Sequence, residues 1–134
     1  MPVELIRADA LYPEAPYAYA AIAEPGRLIF TAGACPIDGN GDVVGADDYQ
    51  AQARHAMANL VTALAAAGAS LTDVVKTTVY VASADRGDLY SVWQVVRAAF
   101  GDHDAPSTLL GVTVLGWTGQ LVEIEAVAVT PRAS

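Results

Sequence analysis

Two glutamates near the C-terminal end are the residues of this chain best placed to do chemistry. Glu123 and Glu125 stand inside the run Val-Glu-Ile-Glu-Ala-Val. Such a run predicts a strand, and residues two positions apart in a strand point to the same face. A buried carboxylate needs hydrogen-bond donors or a proton, because an unpaired buried charge is costly. The pair therefore predicts a polar face along this strand, on which a carboxylate could serve in acid–base chemistry.

The other side chains with reactive or ligating groups are sparse. Cys35 is the single cysteine, so no intramolecular disulfide forms, which fits a reducing, cytoplasmic setting. Its sequence neighbours include no His or Arg, so a small buried thiol is favoured over a nucleophile or a redox sensor. His55 and His103 are far apart, and no Cys/His spacing suits zinc.

Strands are predicted wherever β-branched runs are bounded by turn residues. Residues 3–8 and 73–82 read as strands, and the stretch 105–126 contains two strand-like runs joined by a turn. The runs 19–23 and 28–32 flank Glu-Pro-Gly-Arg, and we predict that they pair as a hairpin.

Two helices are predicted between these strands. Apolar residues recur every three or four positions over 47–67, and a second stripe covers 85–100. Gly68 and Gly101 are expected to end the helices, and Ser83 to cap the second. The resulting order is β-ββ-α-β-α-ββ, in which a helix between strands implies a crossover connection.

Length and composition predict one globular domain over residues 1–134. Apolar residues make up 54% of the chain and charged residues only 16%. The low charged fraction implies more buried surface than one small domain can hide, which favours a homo-oligomer. Two helices on one face of a sheet would also leave the other face open.

Net charge and hydropathy argue against nucleic-acid and membrane partners. The net charge is −8. Seven basic residues are scattered without a stripe, so nucleic-acid binding is not expected. No apolar run is long enough to span a membrane, and no signal-peptide pattern is evident.

Four segments together carry a resemblance to a known family. They are Phe30–Ile37, Gln52–Arg54 with Asn59-Leu60, Ala66–Val81 and Val122–Ala128. In this combination the chain resembles the Rid family, the reactive intermediate deaminases also called YjgF, over nearly its whole length. The resemblance implies an α+β, chorismate-mutase-like fold, with one sheet and two helices packed on one face. It also implies a homotrimer in which three sheets enclose a barrel and clefts lie between subunits.

The best-known branch of that family hydrolyses reactive enamines and imines, as 2-iminobutanoate/2-iminopropanoate deaminases do, and uses no cofactor. By this resemblance Glu123 positions or activates water, Tyr17 completes the site and the backbone of Gly33 lines the cleft. Cys35 follows at the mouth of the expected cleft. His103, in the loop before Pro106, is the histidine nearer to it.

The chain departs from the family pattern where an arginine clamps the substrate carboxylate. That position falls on Ser107 or on Thr108, depending on the alignment register. These hydroxyls could bind a substrate carbonyl or carboxylate, or merely begin a strand. A position usually held by asparagine corresponds to Trp93, for which we expect a place in the core or an interface. The chain thus resembles an arginine-lacking branch.

We therefore expect a cytoplasmic homotrimer that binds a small imine, enamine or related carbonyl compound between its subunits, with Glu123 holding the water if hydrolysis occurs. A non-catalytic metabolite-binding or regulatory trimer stays open. So does a pathway-specific enzyme with a pocket reshaped by Trp93 and Cys35. The acidic charge argues against a ribonuclease.

Overall fold

A computed structural model of the protein describes residues 3–132 and places two helices against a mixed four-stranded sheet. The elements follow one another as β1 Val3–Ile6, β2 Ala20–Ala23, β3 Gly26–Phe30, α1 Tyr49–Ala66, a 3-10 turn Leu71–Asp73, β4 Val74–Val81, α2 Arg86–Phe100, β5 Ser107–Gly111 and β6 Val122–Pro131. Within the described range no helix is both long and apolar enough to cross a membrane.

The sheet has the strand order β3-β6-β4-β5. β4 and β5 are parallel and α2 connects them as the predicted crossover, whereas β6 runs antiparallel to both β4 and β3. The expected α+β fold is therefore confirmed. The two strand runs of residues 105–126 are not neighbours, because β4 lies between them.

The predicted hairpin between residues 19–23 and 28–32 is wrong. β2 pairs with β1 in a separate two-stranded ladder, and β3 pairs with β6. Gly26 and Arg27, which were expected in the turn, are the first residues of β3, and β3 forms five residue pairs with the long strand β6. Gly26 permits this approach, because a Cβ there would lie 2.2 Å from the carbonyl oxygen of Thr130.

Both helices lie within two residues of their predicted bounds. The Asp48 carboxylate caps α1 by accepting from the Ala51 amide, and Gly68 follows the helix with a φ of +83°. The cap of α2 is Asp85, which accepts from the Gly87 amide, so the prediction of Ser83 is wrong. Ser83 instead accepts a bond from the amide of Asp85 itself, one step outside the helix.

The core lies between the helices and one face of the sheet. Alternate residues of β4 and β6, among them Val79, Val81 and Ile124, are buried there against Leu60 and Leu64 of α1. The opposite face, called the open face below, is covered by no helix of residues 3–132. It carries Phe30, Lys76, Thr78, Tyr80, Glu123 and Glu125. The predicted polar face of β6 thus exists and lies outside the core.

Candidate functional site

Glu123 is the centre of a cluster at the beginning of β6. Its Oε1 accepts hydrogen bonds from Gln120 Nε2 at 3.0 Å and from Cys35 Sγ at 3.4 Å. The segment 33–35 reaches it because Ala34 exchanges two backbone hydrogen bonds with Ile124, of 2.7 and 3.1 Å. We call Gly33, Cys35, Gln120 and Glu123 the carboxylate cluster. Three of these four residues were predicted site residues.

Gly33 gives the Glu123 side chain the space that it occupies. A Cβ at position 33 would lie 2.1 Å from Glu123 Oε2 and 2.5 Å from Cδ. Such distances are far inside van der Waals contact, so the carboxylate lies directly across the glycine Cα. The position of this carboxylate therefore depends on the absence of a side chain at residue 33.

Cys35 is a hydrogen-bond donor in this cluster. Burial raises the pKa of its thiol, and the negative charge of Glu123 and the hydrogen bond to that carboxylate raise the pKa further. The thiol is half-buried and protonated at neutral pH, since only a lowered pKa yields a thiolate there. Its bond to Glu123 makes it part of the carboxylate's environment.

Gln120 was missed by the sequence analysis. It is only 4% exposed, and its Nε2 also donates to the Val122 carbonyl at 3.0 Å. Its Oε1 accepts from the Trp117 amide at 3.1 Å, so both ends of the side chain are fixed. A buried amide with all of these bonds satisfied holds its donor to Glu123 in one orientation.

Gln52 of α1 holds the loop that carries Gln120. This fully buried side chain donates to the Gly119 carbonyl at 3.0 Å and accepts from the Leu121 amide at 2.7 Å. A glutamine in line with the buried Ala56 and Leu60 on an otherwise apolar helix stripe is the one sequence signal that could have indicated this support.

Glu125 has a different partner from Glu123. The Tyr80 hydroxyl, on the neighbouring strand β4, donates a short hydrogen bond to Glu125 Oε1. That bond raises the pKa of Tyr80, with a further contribution from burial. The two glutamates share a face as predicted, but Glu125 is held by a tyrosine and Glu123 by Gln120 and Cys35.

A second group of predicted site residues lines a pocket of about 390 Å³ along β5. We call it the aromatic pocket, and its lining residues are Pro16, Tyr17, Trp93, Ser107, Thr108 and Leu109. Trp93 packs against the core, as one of its two predicted placements, and it also forms part of this wall. The rings of Tyr17 and Trp93 meet edge to face with centroids 6.4 Å apart.

Arg7 fixes the loop that carries Tyr17. Its guanidinium donates to the carbonyl oxygens of Ala15 and Tyr17 at 2.6 and 2.7 Å and pairs with Asp104 at 2.9 Å. The loop is thereby tied to the segment that precedes β5. Tyr17 consequently stands beside Ser107 although ninety residues of chain separate them.

Ser107 and Thr108 point to opposite faces of β5. Ser107 Oγ accepts from Thr77 Oγ1 at 2.7 Å on the helix side. Thr108 Oγ1 accepts from Lys76 Nζ at 2.6 Å on the open face. β5 is the edge strand, so both residues still border the aromatic pocket.

The carboxylate cluster and the aromatic pocket are separate within one subunit. Ser107 pairs with Thr77 and Glu123 with Tyr80, on either side of β4. Three residues along a strand and two strand spacings across the sheet separate their Cα atoms by roughly 14 Å. The structure therefore unites Gly33, Cys35 and Glu123, and separately Tyr17, Ser107 and Thr108, but not the two groups.

The histidines serve the fold. His55 Nε2 lies 3.0 Å from the Ile37 carbonyl oxygen, and His103 Nε2 lies 2.7 Å from that of Val74. His103 also stacks on Phe100. Across residues 3–132, no three His, Cys, Asp or Glu side chains come together as metal ligands would.

Comparison with known proteins gives consistent matches over most of the chain. The family model Endoribonuclease L-PSP matches residues 7–130. A 2-iminobutanoate/2-iminopropanoate deaminase of Salmonella typhimurium is 33% identical over 107 residues, 80% of this chain and 81% of that protein. The 3-aminoacrylate deaminase RutC of Acinetobacter baylyi is 32% identical over 129 residues, 96% and 98% of the two chains. The crystal structure of YyfB, a conserved Rid-family protein of Yersinia pestis, superposes with a TM-score of 0.91 at 32% identity, covering 97% of this chain and 100% of that one.

Proposed function

The chain belongs to the Rid (YjgF) family, described as Endoribonuclease L-PSP, and from that premise we propose that it hydrolyses a small imine or enamine in clefts between the subunits of a homotrimer. The observation that carries this proposal is the Glu123 carboxylate, which lies across Gly33 with one oxygen bound by Gln120 and Cys35. Relatives that are named deaminases support the reaction class.

The proposed reaction uses Glu123 to hold the attacking water. Gln120 and Cys35 both donate to Oε1, and among residues 3–132 no side chain donates to Oε2, so we assign to Oε2 the role of accepting a proton from water. Water adds to the imine carbon and gives its proton to the carboxylate. The carboxylate returns this proton to the imine nitrogen, which gives a carbinolamine. It then accepts the hydroxyl proton of the carbinolamine and delivers it to the same nitrogen as the C–N bond breaks, so the products are a carbonyl compound and ammonia.

Association of subunits would bring the two halves of the site together. Within one subunit roughly 14 Å separates the Cα atoms of Glu123 and Ser107, and the aromatic pocket lies along the edge strand β5, away from the carboxylate cluster. The open face also exposes large apolar side chains, with Phe30 72% and Leu28 61% exposed. We propose that a neighbouring subunit covers this face and places its aromatic pocket against Glu123.

The direct test is ammonia release from freshly generated imines. Glu123→Gln keeps the size of the side chain and removes its base, and a loss on the order of 100-fold or more in kcat is expected. Glu125→Gln is the matched control, because it makes the same change two residues away on the same face, and it should stay within about threefold of the native rate. No turnover above a Glu123→Ala background would overturn the hydrolytic function.

A non-catalytic binding trimer is the second candidate. The hydroxyls of Ser107 and Thr108 at the expected arginine position favour it. Thermal-shift screening would support it if a ligand stabilised the protein and no ammonia were released. A nuclease role is disfavoured by the net charge of −8.

A further inference from the structure

We propose that the aromatic pocket selects an imine without a carboxylate, with its apolar or aromatic substituent packed against the surface that Tyr17 and Trp93 form. This inference rests on the proposed function, because it names the substrate class of the same site. It follows from the lining of the pocket, in which no side chain is charged.

Three cationic side chains lie near the pocket, and none of them is among its lining residues. Arg97 lines the neighbouring small cavity, which Trp93 and Ser107 also border. Arg7 forms an ion pair with Asp104 at 2.9 Å and also donates to two carbonyls. Lys76 donates to the Thr108 hydroxyl from the open face, away from Ser107 and Trp93. A carboxylate in this pocket would lose its hydration without gaining a bidentate guanidinium, so its binding is penalised.

The pocket does offer uncharged hydrogen-bonding groups. Ser107 Oγ accepts from Thr77, so the proton of Ser107 itself is available to a ligand. Pro106 accepts from Thr77 and Val112 donates to Val81 in the β4–β5 ladder. In a parallel ladder the alternate residues bond to the partner strand, so the backbone groups of Ser107 and Leu109 point to the outer edge. Such groups match a C=N or C=O and not a full negative charge.

The walls favour an apolar substituent. Tyr17 and Trp93 present an edge-to-face pair, and Pro16 and Leu109 complete an apolar surface. The indole Nε1 of Trp93 is buried without a hydrogen-bond partner among residues 3–132. Trp93 also lines a separate cavity of about 10 Å³, the size of one water molecule, together with Thr77, Arg97 and Ser107.

A matched pair of substrates tests the proposal. An amino-acid oxidase acting on phenylalanine yields the imine with a carboxylate, and an amine oxidase acting on phenethylamine yields the same imine without it. The hydrolysis of each imine is measured in competition with semicarbazide, which traps the imine that has not yet been hydrolysed. We expect the uncharged imine to be preferred about tenfold or more in kcat/KM.

Substitutions at Thr108 and Lys76 test which side chain could bind a substrate carboxylate. Thr108→Arg should reverse the preference, with Thr108→Gln as the uncharged control of similar reach. Lys76→Met should leave the preference unchanged. A native protein that prefers the imine with the carboxylate would overturn the inference. If Lys76→Met then removed this preference for the carboxylate, Lys76 would be the group that binds it.

Binding of stable analogues keeps this inference distinct from the proposed function. Phenylacetone and phenylpyruvate differ by a carboxylate, and calorimetry should show about tenfold tighter binding of phenylacetone. If no imine is hydrolysed but phenylacetone binds tighter, the proposed function fails and the pocket inference stands. Equal or tighter binding of phenylpyruvate overturns the pocket inference whatever the catalytic result.

Discussion

The Cys35 thiol and the Glu123 carboxylate determine each other's chemistry at the scale of single residues. The pKa of Cys35 is raised first by burial and then by Glu123, so the neutral thiol persists at physiological pH. A thiol in this form is a hydrogen-bond donor, and Glu123 Oε1 and the Gly33 carbonyl oxygen both lie 3.4 Å from its sulfur. Cys35 is therefore better interpreted as a modifier of the proposed base than as a second nucleophile.

Alkylation by iodoacetamide should report this coupling. Because a thiolate is the reactive form and the pKa of Cys35 is raised, the native rate should stay low up to about pH 8 and rise only above it. Glu123→Gln removes the negative charge that raises this pKa, so the rate profile should move to lower pH. A native profile that levels off below about pH 8, or one that Glu123→Gln does not move, would contradict the coupling.

Gln120 should act on turnover through the orientation of Glu123. Gln120→Leu removes the 3.0 Å bond to Oε1, and we expect kcat to fall about tenfold or more with KM within about threefold. The buried bonds that are lost also cost about 1–3 kcal/mol of stability, measured by denaturant unfolding. The control Gln94→Leu makes the same change on the exposed side of α2. A change in KM alone would assign Gln120 to binding.

The sequence led to Glu123, Gly33 and Tyr17 as candidate site residues through the family resemblance, but not to Gln120. The role of Gln120 depends on the loop over residues 112–121, which α1 holds through Gln52. Neither spacing nor propensity encodes a contact between residues so far apart in the chain. The catalytic and binding roles of these residues stay predictions.

At the scale of elements, the helices and β4 were predictable because their signals are local. Apolar periodicity, an acidic N-cap and a glycine C-terminal to the helix determine α1 within a few neighbouring residues. The pairing of β3 was not predictable in this way. Its partner β6 lies about a hundred residues away, and the turn signal at Pro25 favoured the wrong neighbour.

Gly33→Ala tests how the segment 33–35 positions the carboxylate. The new Cβ would occupy the place of Glu123 Oε2, at 2.1 Å, and the flexible side chain would have to rotate away. We expect turnover to fall on the order of 100-fold, with a melting temperature within a few degrees of the native value. Gly39→Ala, where a Cβ would meet nothing within 4 Å, should change neither. Native turnover in Gly33→Ala would contradict the importance of this approach.

At the scale of the whole molecule, the open face is the feature that a single subunit leaves unexplained. Only 16% of the residues are charged, and Phe30 and Leu28 stand exposed on a sheet face without a covering helix. Exposed apolar side chains that cluster in this way mark an interaction surface. We propose that further copies of this chain cover it.

Sedimentation equilibrium should therefore give a mass three times that of the 13.9 kDa chain. Phe30→Asp places a charge in the expected interface and should shift the protein toward monomers. Tyr90→Asp, on the outer helix α2 at a side chain that is 62% exposed, is the control and should leave the mass unchanged. A native monomer, or a trimer that tolerates Phe30→Asp, would contradict the assignment.

The roughly 14 Å between Glu123 and Ser107 within one chain has a genetic consequence. If each cleft takes its carboxylate from one copy and its pocket from the next, two different loss-of-function alleles can rescue each other. Glu123→Ala chains mixed equally with chains whose pocket is filled by Ser107→Phe should, after subunit exchange, regain about one working cleft in four. Rescue would be absent if both halves had to come from the same copy. If rescue occurs, the activity of a mixed population depends on which chains assemble into each trimer and not on any single polypeptide.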